Sequence, residues 1–164
     1  MWVIDFESSG LHKSSYPIEV GVTNGDIEYQ ALIQPMNHWE FWSEESQLIH
    51  GIDRDELKIE GKKAFLVAQE LNELLQSQKV YCDALEWDGF WARVLFSDNA
   101  ITHKFELLDV RCLLESDDEY LSSFLARRQE LLDSGDYKQH RALHDARLLW
   151  RALNPRSYYR LSQL

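Results

Sequence analysis

Three short segments carry the residues that could do chemistry: Asp5-Phe6-Glu7, the stretch Cys82-Asp83-Ala84-Leu85-Glu86-Trp87-Asp88, and His140-Arg141-Ala142-Leu143-His144-Asp145. Asp5 and Glu7 stand two apart, so on a strand both carboxylates point the same way. Two carboxylates on one rigid strand suit Mg²⁺ or Mn²⁺, which take oxygen ligands. The plain alternative is a polar strand end. In the second segment a short strand runs into a helix, and Asp88 falls near the helix start, where the macrodipole favours a negative charge in any case. In the third, an ideal helix would set His140 and Asp145 about 140° apart. For both to serve one site, His140 must lie in the preceding loop or at the helix start. A histidine titrates near neutrality and can take a proton from an attacking water. His144 competes for that role, but beside Asp145 its side chain would point elsewhere.

The elements that must position these groups are legible in the patterning. Trp2 to Glu7 reads as a strand, with Trp2, Ile4 and Phe6 on one face and Val3, Asp5 and Glu7 on the other. Ile18–Thr23 is a second strand. Asn24-Gly25 signals a hairpin, and Ile27–Gln34 follows with Ile27, Tyr29, Ala31 and Ile33 on one face. Asp53 and Glu56 have the spacing of a capping box. Ala64, Val67, Ala68, Leu71, Leu74 and Leu75 form a helical stripe. Lys79–Cys82 and Phe105–Val110 read as short strands, and Trp87–Phe96 as a helix. Leu121, Phe124, Leu125, Leu131 and Leu132 mark another helix, and Leu143–Leu153 a last one, stopped at Asn154-Pro155. The expectation is an α/β chain of about five strands and four or five helices.

With 164 residues, 45% of them hydrophobic, the chain is sized for one domain, residues 1–164, with a proper core. Three Pro and seven Gly leave little room for linkers. No segment approaches the roughly 20 apolar residues of a membrane span, and Met1-Trp2-Val3-Ile4-Asp5 is not a secretion signal. Cys82 and Cys112 have no metal-type spacing, so a reducing cytoplasm is the expected setting. The net charge of −11 sits awkwardly with nucleic-acid binding, where Lys and Arg supply most phosphate affinity. Its distribution softens that. Residues 138–164 hold six basic residues (Lys138, Arg141, Arg147, Arg151, Arg156, Arg160) and only Asp145 as an acid, a net of +5. The remainder holds 11 basic and 27 acidic residues, a net of −16. A basic end therefore follows an acidic body; it is either a strand guide or a solvated helix face. The run Trp39-Glu40-Phe41-Trp42 could stack on bases, pack over the core or form a dimer contact, whereas Trp87, Phe90 and Trp91 read as core.

In this order the segments resemble the DEDD exonucleases, in particular the subfamily with a catalytic histidine, which includes the proofreading subunit of bacterial DNA polymerase III, ribonuclease T and oligoribonuclease. Asp5-Phe6-Glu7-Ser8-Ser9-Gly10-Leu11 resembles the first motif, Asp-x-Glu-Thr-Thr-Gly-Leu. Ile18-Glu19-Val20-Gly21 and His50-Gly51-Ile52 are similar to segments that recur in relatives, and His140 and Asp145 match the third motif, His-x4-Asp. The second motif departs from the family's His-Asn-Ala-x-Phe-Asp: Asp83 stands near the Asn position, and the stretch to Asp88 is a residue longer. Asp83 and Glu86 thus rival Asp88, which is preferred for the aromatic before it, Trp87, and the helix-like spacing after it.

The resemblance implies a ribonuclease H-like fold, a five-stranded mixed sheet with the hairpin antiparallel and helices on both sides. It implies a 3′–5′ exonuclease acting on single-stranded DNA or RNA 3′ ends and releasing nucleoside 5′-monophosphates. Two Mg²⁺ (or Mn²⁺) would lie about 4 Å apart, held by Asp5, Glu7, Asp88 and Asp145, with His140 as general base. Asp5 would bridge both ions. Ser8, Ser9, Gly10 and Leu11 would meet the terminal nucleotide, with His50 and Arg141 as further substrate contacts. Small residues fit there if backbone approaches substrate. The acidic body favours short or single-stranded substrates over long duplexes. Some relatives are dimers, which leaves a homodimer open, and the acidic surface leaves open a basic protein partner. The reading from another class is a binding module that recognises strand ends or a partner without cleaving.

Overall fold

The computed structural model describes residues 1–115 and 117–154. Its first strand, β1 (Trp2–Ser8), alternates as the pattern requires. Trp2, Ile4 and Phe6 enter one apolar cluster, while Val3 enters another on the opposite face. Asp5 and Glu7 share the face of Val3. β2 (Pro17–Thr23) pairs antiparallel with β1, and β3 (Glu28–Gln34) antiparallel with β2. Their hairpin turn spans Asn24 to Ile27: the Asn24 side-chain oxygen accepts from the backbone N–H of Asp26 and Ile27. Gly25, at φ +94°, lies against the Trp150 ring, which leaves no room for a Cβ. The strand expected to begin at Ile27 begins one residue later, and Ile27 is half exposed.

Two short helices follow, α1 (Glu44–His50) and α2 (Arg54–Glu60). Asp53 caps α2 as its spacing predicts, accepting from the N–H groups of Asp55 and Glu56. The two-residue strand β4 (Lys62–Lys63) leads into α3 (Ala64–Leu75), whose predicted stripe is buried apart from partly buried Leu74. β5 (Lys79–Cys82), α4 (Leu85–Asp98), β6 (Glu106–Asp109), α5 (Arg111–Leu114), α6 (Asp118–Asp133) and α7 (Ala142–Leu153) complete the order.

The sheet has six strands in the order β4-β3-β2-β1-β5-β6, not the five expected. The extra strand is β4, which pairs parallel with the end of β3 through Ile33 and Gln34. Two residues carry no period, so patterning could not reveal it. β5 and β6 run parallel to β1, making the sheet mixed. One face is covered by α3 and α4, the other by α7 with α6 stacked on it. α7 approaches β2 so closely that a Cβ on Gly21 would stand 2.1 Å from the Leu143 nitrogen. Glycine at that position is what lets the helix start lie against the sheet.

Within the aromatic run 39–42, Trp39 enters the core while Phe41 and Trp42 stay partly exposed. Trp39 is buried, stacks on Tyr16 at 5.1 Å and donates to Asp98. Trp42 packs against the same core, and Phe41 stacks on His12 at 4.5 Å. Trp91 is core, with Trp87 and Phe90 packed against it. No helix among the described residues is long and apolar enough to cross a membrane.

Candidate active site

β1 lies mid-sheet with Asp5 and Glu7 on the α7 side, and the other groups come to them from separate elements. Asp88 arrives from the first turn of α4, and Asp145 from the first turn of α7. His140 lies one residue before the cap of α7, at φ +60°, outside the helix and exposed. Two sets of ligand atoms result, each within 4.8 Å of one another. The first is Glu7, His140 and Asp145; the second is Asp5, Asp83 and Asp88. Glu86 is exposed and joins neither. His144 turns its Nδ1 to the Lys138 N–H, at 3.2 Å, and holds the loop instead.

The crowding of carboxylates is visible in their proton affinities. Burial first, then the charges of Asp88, Glu7, Asp145 and Asp83, raise Asp5 well above the usual carboxylate range. Glu7 is pushed up to about 8 by burial and then by Asp145 and Glu19. Asp88 is also pushed up to about 8, by burial and Asp83, against the pull of backbone hydrogen bonds at Phe6 and Ala84. Burial raises Asp145 as well. Such a cluster calls for cations. The residues fit hard divalent ions on one specific ground: Asp88, 2% exposed, keeps its Oδ2 buried without a hydrogen-bond partner. A buried, unpaired carboxylate oxygen is costly unless something occupies it.

Glu19, in the Ile18-Glu19-Val20-Gly21 segment, has a structural role that its local sequence does not reveal. The β1–β2 register sets Glu19 opposite Glu7 and Gly21 opposite Asp5. Glu19 is fully buried (0% exposed) and bound by Arg141, whose Nη2 reaches Oε1 at 2.7 Å and whose Nε reaches Oε2 at 3.1 Å. Its Oε2 also accepts from the Ala142 N–H at 3.0 Å, and Gln30 donates to Oε1 at 2.8 Å. The cap residue of α7, Arg141, has no capping side chain of its own, so Glu19 supplies the cap from the neighbouring strand. Arg141, expected at the substrate, thus spends its guanidinium on Glu19, while its N–H donates to Asp145 Oδ2 at 3.2 Å. The pair fixes the helix start that carries His140 and Asp145. Glu19→Ala strands the arginine and uncaps α7, and is expected to cost about 3–5 kcal/mol, read as a fall in the Tm of metal-free protein.

The carboxylates open on a cleft of about 490 Å³. Asp5, Glu7, Ser8, Leu11, His50, His140 and Asp145, all expected at the site, line it. Ser9, Gly10, Asp88 and Arg141 do not. The Ser9 hydroxyl accepts from the Tyr16 N–H, and the space left by the missing Cβ of Gly10 is taken by Ser43 and Phe41 rather than by a ligand. Leu11 is 70% exposed at the mouth. His50 is 3% exposed; its Nδ1 accepts from the Ile52 N–H, its Nε2 has no partner, and burial pulls its pKa down to about 4. Ser46 and Ile49 of α1 also line the cleft, and no motif in the sequence marks them. The same holds for Arg128 of α6. The basic end is largely committed within the protein: Arg147 forms a two-contact pair with Glu28, and Arg151 reaches Tyr137. Arg156 and Arg160 lie outside the described residues.

A mixed sheet whose central strand carries two carboxylates, met by an acid from one crossing helix and by an Asp from another with a His in the loop just before it, defines the ribonuclease H-like nuclease class. A family model described as exonuclease (RNase T) matches residues 2–153, and the chain belongs to that family, among the DEDD-type 3′–5′ exonucleases. Among curated protein sequences none matches. Solved structures do. E. coli exonuclease I in complex with a dA16 oligonucleotide is 16% identical, with a TM-score of 0.68 over 99% of this chain and 42% of the other. The zinc-bound E. coli exonuclease I complex with single-stranded DNA is 14% identical, TM-score 0.64, over 99% and 42%. The exonuclease I of Methylocaldum szegediense is 16% identical, TM-score 0.66, over 99% and 42%. The chain shares their fold and spans less than half their length.

Proposed function

We propose that this protein is a divalent-metal-dependent 3′–5′ exonuclease of the histidine subfamily, acting in the cytoplasm on single-stranded or short nucleic acids and releasing nucleoside 5′-monophosphates. The observation that carries this reading is the convergence of Asp5, Glu7 and Asp145, from β1 and α7, beside His140 at one cleft, with buried Asp88 of α4 grouped with Asp5. The single-stranded oligonucleotides bound by E. coli exonuclease I support the substrate class. Both cysteines being free fits a reducing compartment.

Glu7 and Asp145 would hold one ion and Asp88 the other, with Asp5 between them. When bound, two such ions stabilise the attacking and leaving oxygens of an in-line displacement. The chain's own residues supply the rest. His140, exposed beside Glu7 and Asp145, takes the proton of the attacking water. Because it precedes the helix, its ring can swing over the reacting phosphodiester without disturbing α7. Leu11 and Ile49 offer apolar surface at the cleft to the terminal base. His50 stays neutral, and because its Nδ1 accepts from Ile52, its Nε2 carries a hydrogen to offer the terminal nucleotide.

The test is a time course on 5′-labelled single-stranded DNA and RNA of equal length with Mg²⁺, Mn²⁺ or EDTA. A metal-dependent ladder shortening from the 3′ end supports the reading and reports the preferred sugar. No ladder on either strand, with the strands still bound, moves the assignment to a binding module. His140→Ala is expected to lower kcat by about 10²–10⁴-fold while Mn²⁺ affinity changes little, which calorimetry checks.

A further inference from the structure

Asp83 does not stand in for Asp88; it joins it. β5 runs parallel to β1 with Trp2 beside Val80 and Val3 beside Tyr81. That register, carried two residues further, sets Asp83 beside Asp5. Asp88 then reaches the same point from the first turn of α4. The three ligand oxygens lie within 4.8 Å of one another. Oxygens sharing one ion at the 2.0–2.1 Å typical of Mg²⁺ stand at most about 4.2 Å apart, so the set needs to close by at most about 0.6 Å. The unpartnered Oδ2 of Asp88, in a residue 2% exposed, independently marks a place for a cation.

Asp83 already has a cationic neighbour. Its Oδ2 lies 3.3 Å from Nη2 of Arg128, a single contact and the longest ion pair among the described residues. Elsewhere in the molecule arginines grip carboxylates with two contacts, as Arg147 does Glu28 at 2.7 and 2.6 Å. Both Asp83 and Arg128 are partly exposed, at 37% and 42%, where a lone contact holds weakly. The Nε of Arg128 is buried and unpaired, so the guanidinium is poorly satisfied where it lies.

We propose that Asp83 is a fifth carboxylate ligand, completing the Asp5–Asp88 metal site, and that Arg128 holds Asp83 in the metal-free protein and gives it up when the ion enters. This rests on the metal-dependent reading above. Arg128 is the only Lys or Arg among the described residues lining the cleft, so its release also frees a cation beside the reaction centre.

The experiment is Mn²⁺ binding to the full chain by calorimetry, with free Mn²⁺ followed by electron paramagnetic resonance, for wild type, Asp83→Asn, Arg128→Gln and the double variant. Circular dichroism checks that each is folded. Asp83→Asn is expected to weaken one of two Mn²⁺ ions by about 10-fold or more, a loss that even an outer-shell partner can cause, and to leave the other unchanged. Arg128→Gln is expected to tighten that same ion, and to have no effect once Asp83 is gone. Folded Asp83→Asn protein that binds two Mn²⁺ with wild-type affinities overturns the proposal and leaves the nuclease reading standing. Wild-type protein that binds no Mn²⁺ overturns the metal-dependent reading itself, and this inference with it.

Discussion

Replacing Asp5 by Asn is expected to abolish activity and yet stabilise the metal-free protein. Asp5 is the carboxylate most surrounded by others: Asp88, Glu7, Asp145 and Asp83 all raise its proton affinity, on top of burial. In the proposed mechanism it would also be a ligand to both ions. Losing the transition-state stabilisation that depends on it, several kcal/mol in metal-dependent hydrolysis, corresponds to a fall in kcat of about 10³-fold or more. Without metal the same carboxylate has only unfavourable neighbours, and an amide of equal size removes that repulsion. The gain in Tm in EDTA grows with pH, because above the raised range the wild-type cluster must carry all its charges. Single-turnover rates in Mg²⁺ and melting curves in EDTA check both halves. Activity within tenfold of wild type would remove Asp5 from the centre of the mechanism.

The second large effect is on pH and metal together. Glu7 and Asp88 titrate at about 8 in the folded metal-free protein, against ordinary values of 4.5 and 3.8. Between about pH 4 and 8 the folded chain therefore holds protons that the unfolded chain has lost. The stability this confers is fully present below the unfolded values and is lost as pH rises through 8. In EDTA the protein is expected to lose about 2 kcal/mol or more from about pH 6 to 9, a fall of about 4–8 °C in Tm for a chain of this size. Saturating Mg²⁺ reverses the slope, because the ions bind the deprotonated carboxylates and bind more tightly as protons leave. Scanning calorimetry across pH, with EDTA and with Mg²⁺, checks the two slopes. Equal slopes in both conditions would show that the ions do not sit on Glu7 and Asp88.

The shared face of the candidate residues Asp5 and Glu7 was legible in the sequence because strand alternation is strict. Trp2, Ile4 and Phe6 had to share one face, which left Asp5 and Glu7 together on the other, and the structure keeps that order. The hairpin, the helix from Ala64 and the final helix were legible for the same reason: each buries a periodic face. α1 was not, because only His50 of its seven residues is buried and Leu48 and Ile49 face outward. Its signals were local: Ser43 as cap, acids in the first turn, and Gly51 at φ +69° ending it. With α1 went Ser46 and Ile49, two residues of the cleft wall.

What only the tertiary structure decided was partnership across sequence distance. The sequence favoured Asp88 over Asp83 and Glu86 only through Trp87 before it and the helix-like spacing after it. The turn from β5 into α4 buries Asp88, leaves Glu86 in solvent and sets Asp83 beside Asp5. Arg141 adjoins His140 and could have met substrate, but the β1–β2 register puts Glu19 within its reach, 122 residues away in the chain. Local period determines which side of an element a residue faces. Which charge it finds there depends on how elements cross, and that is settled by packing: here by a glycine, Gly21, that lets the start of α7 rest directly on β2.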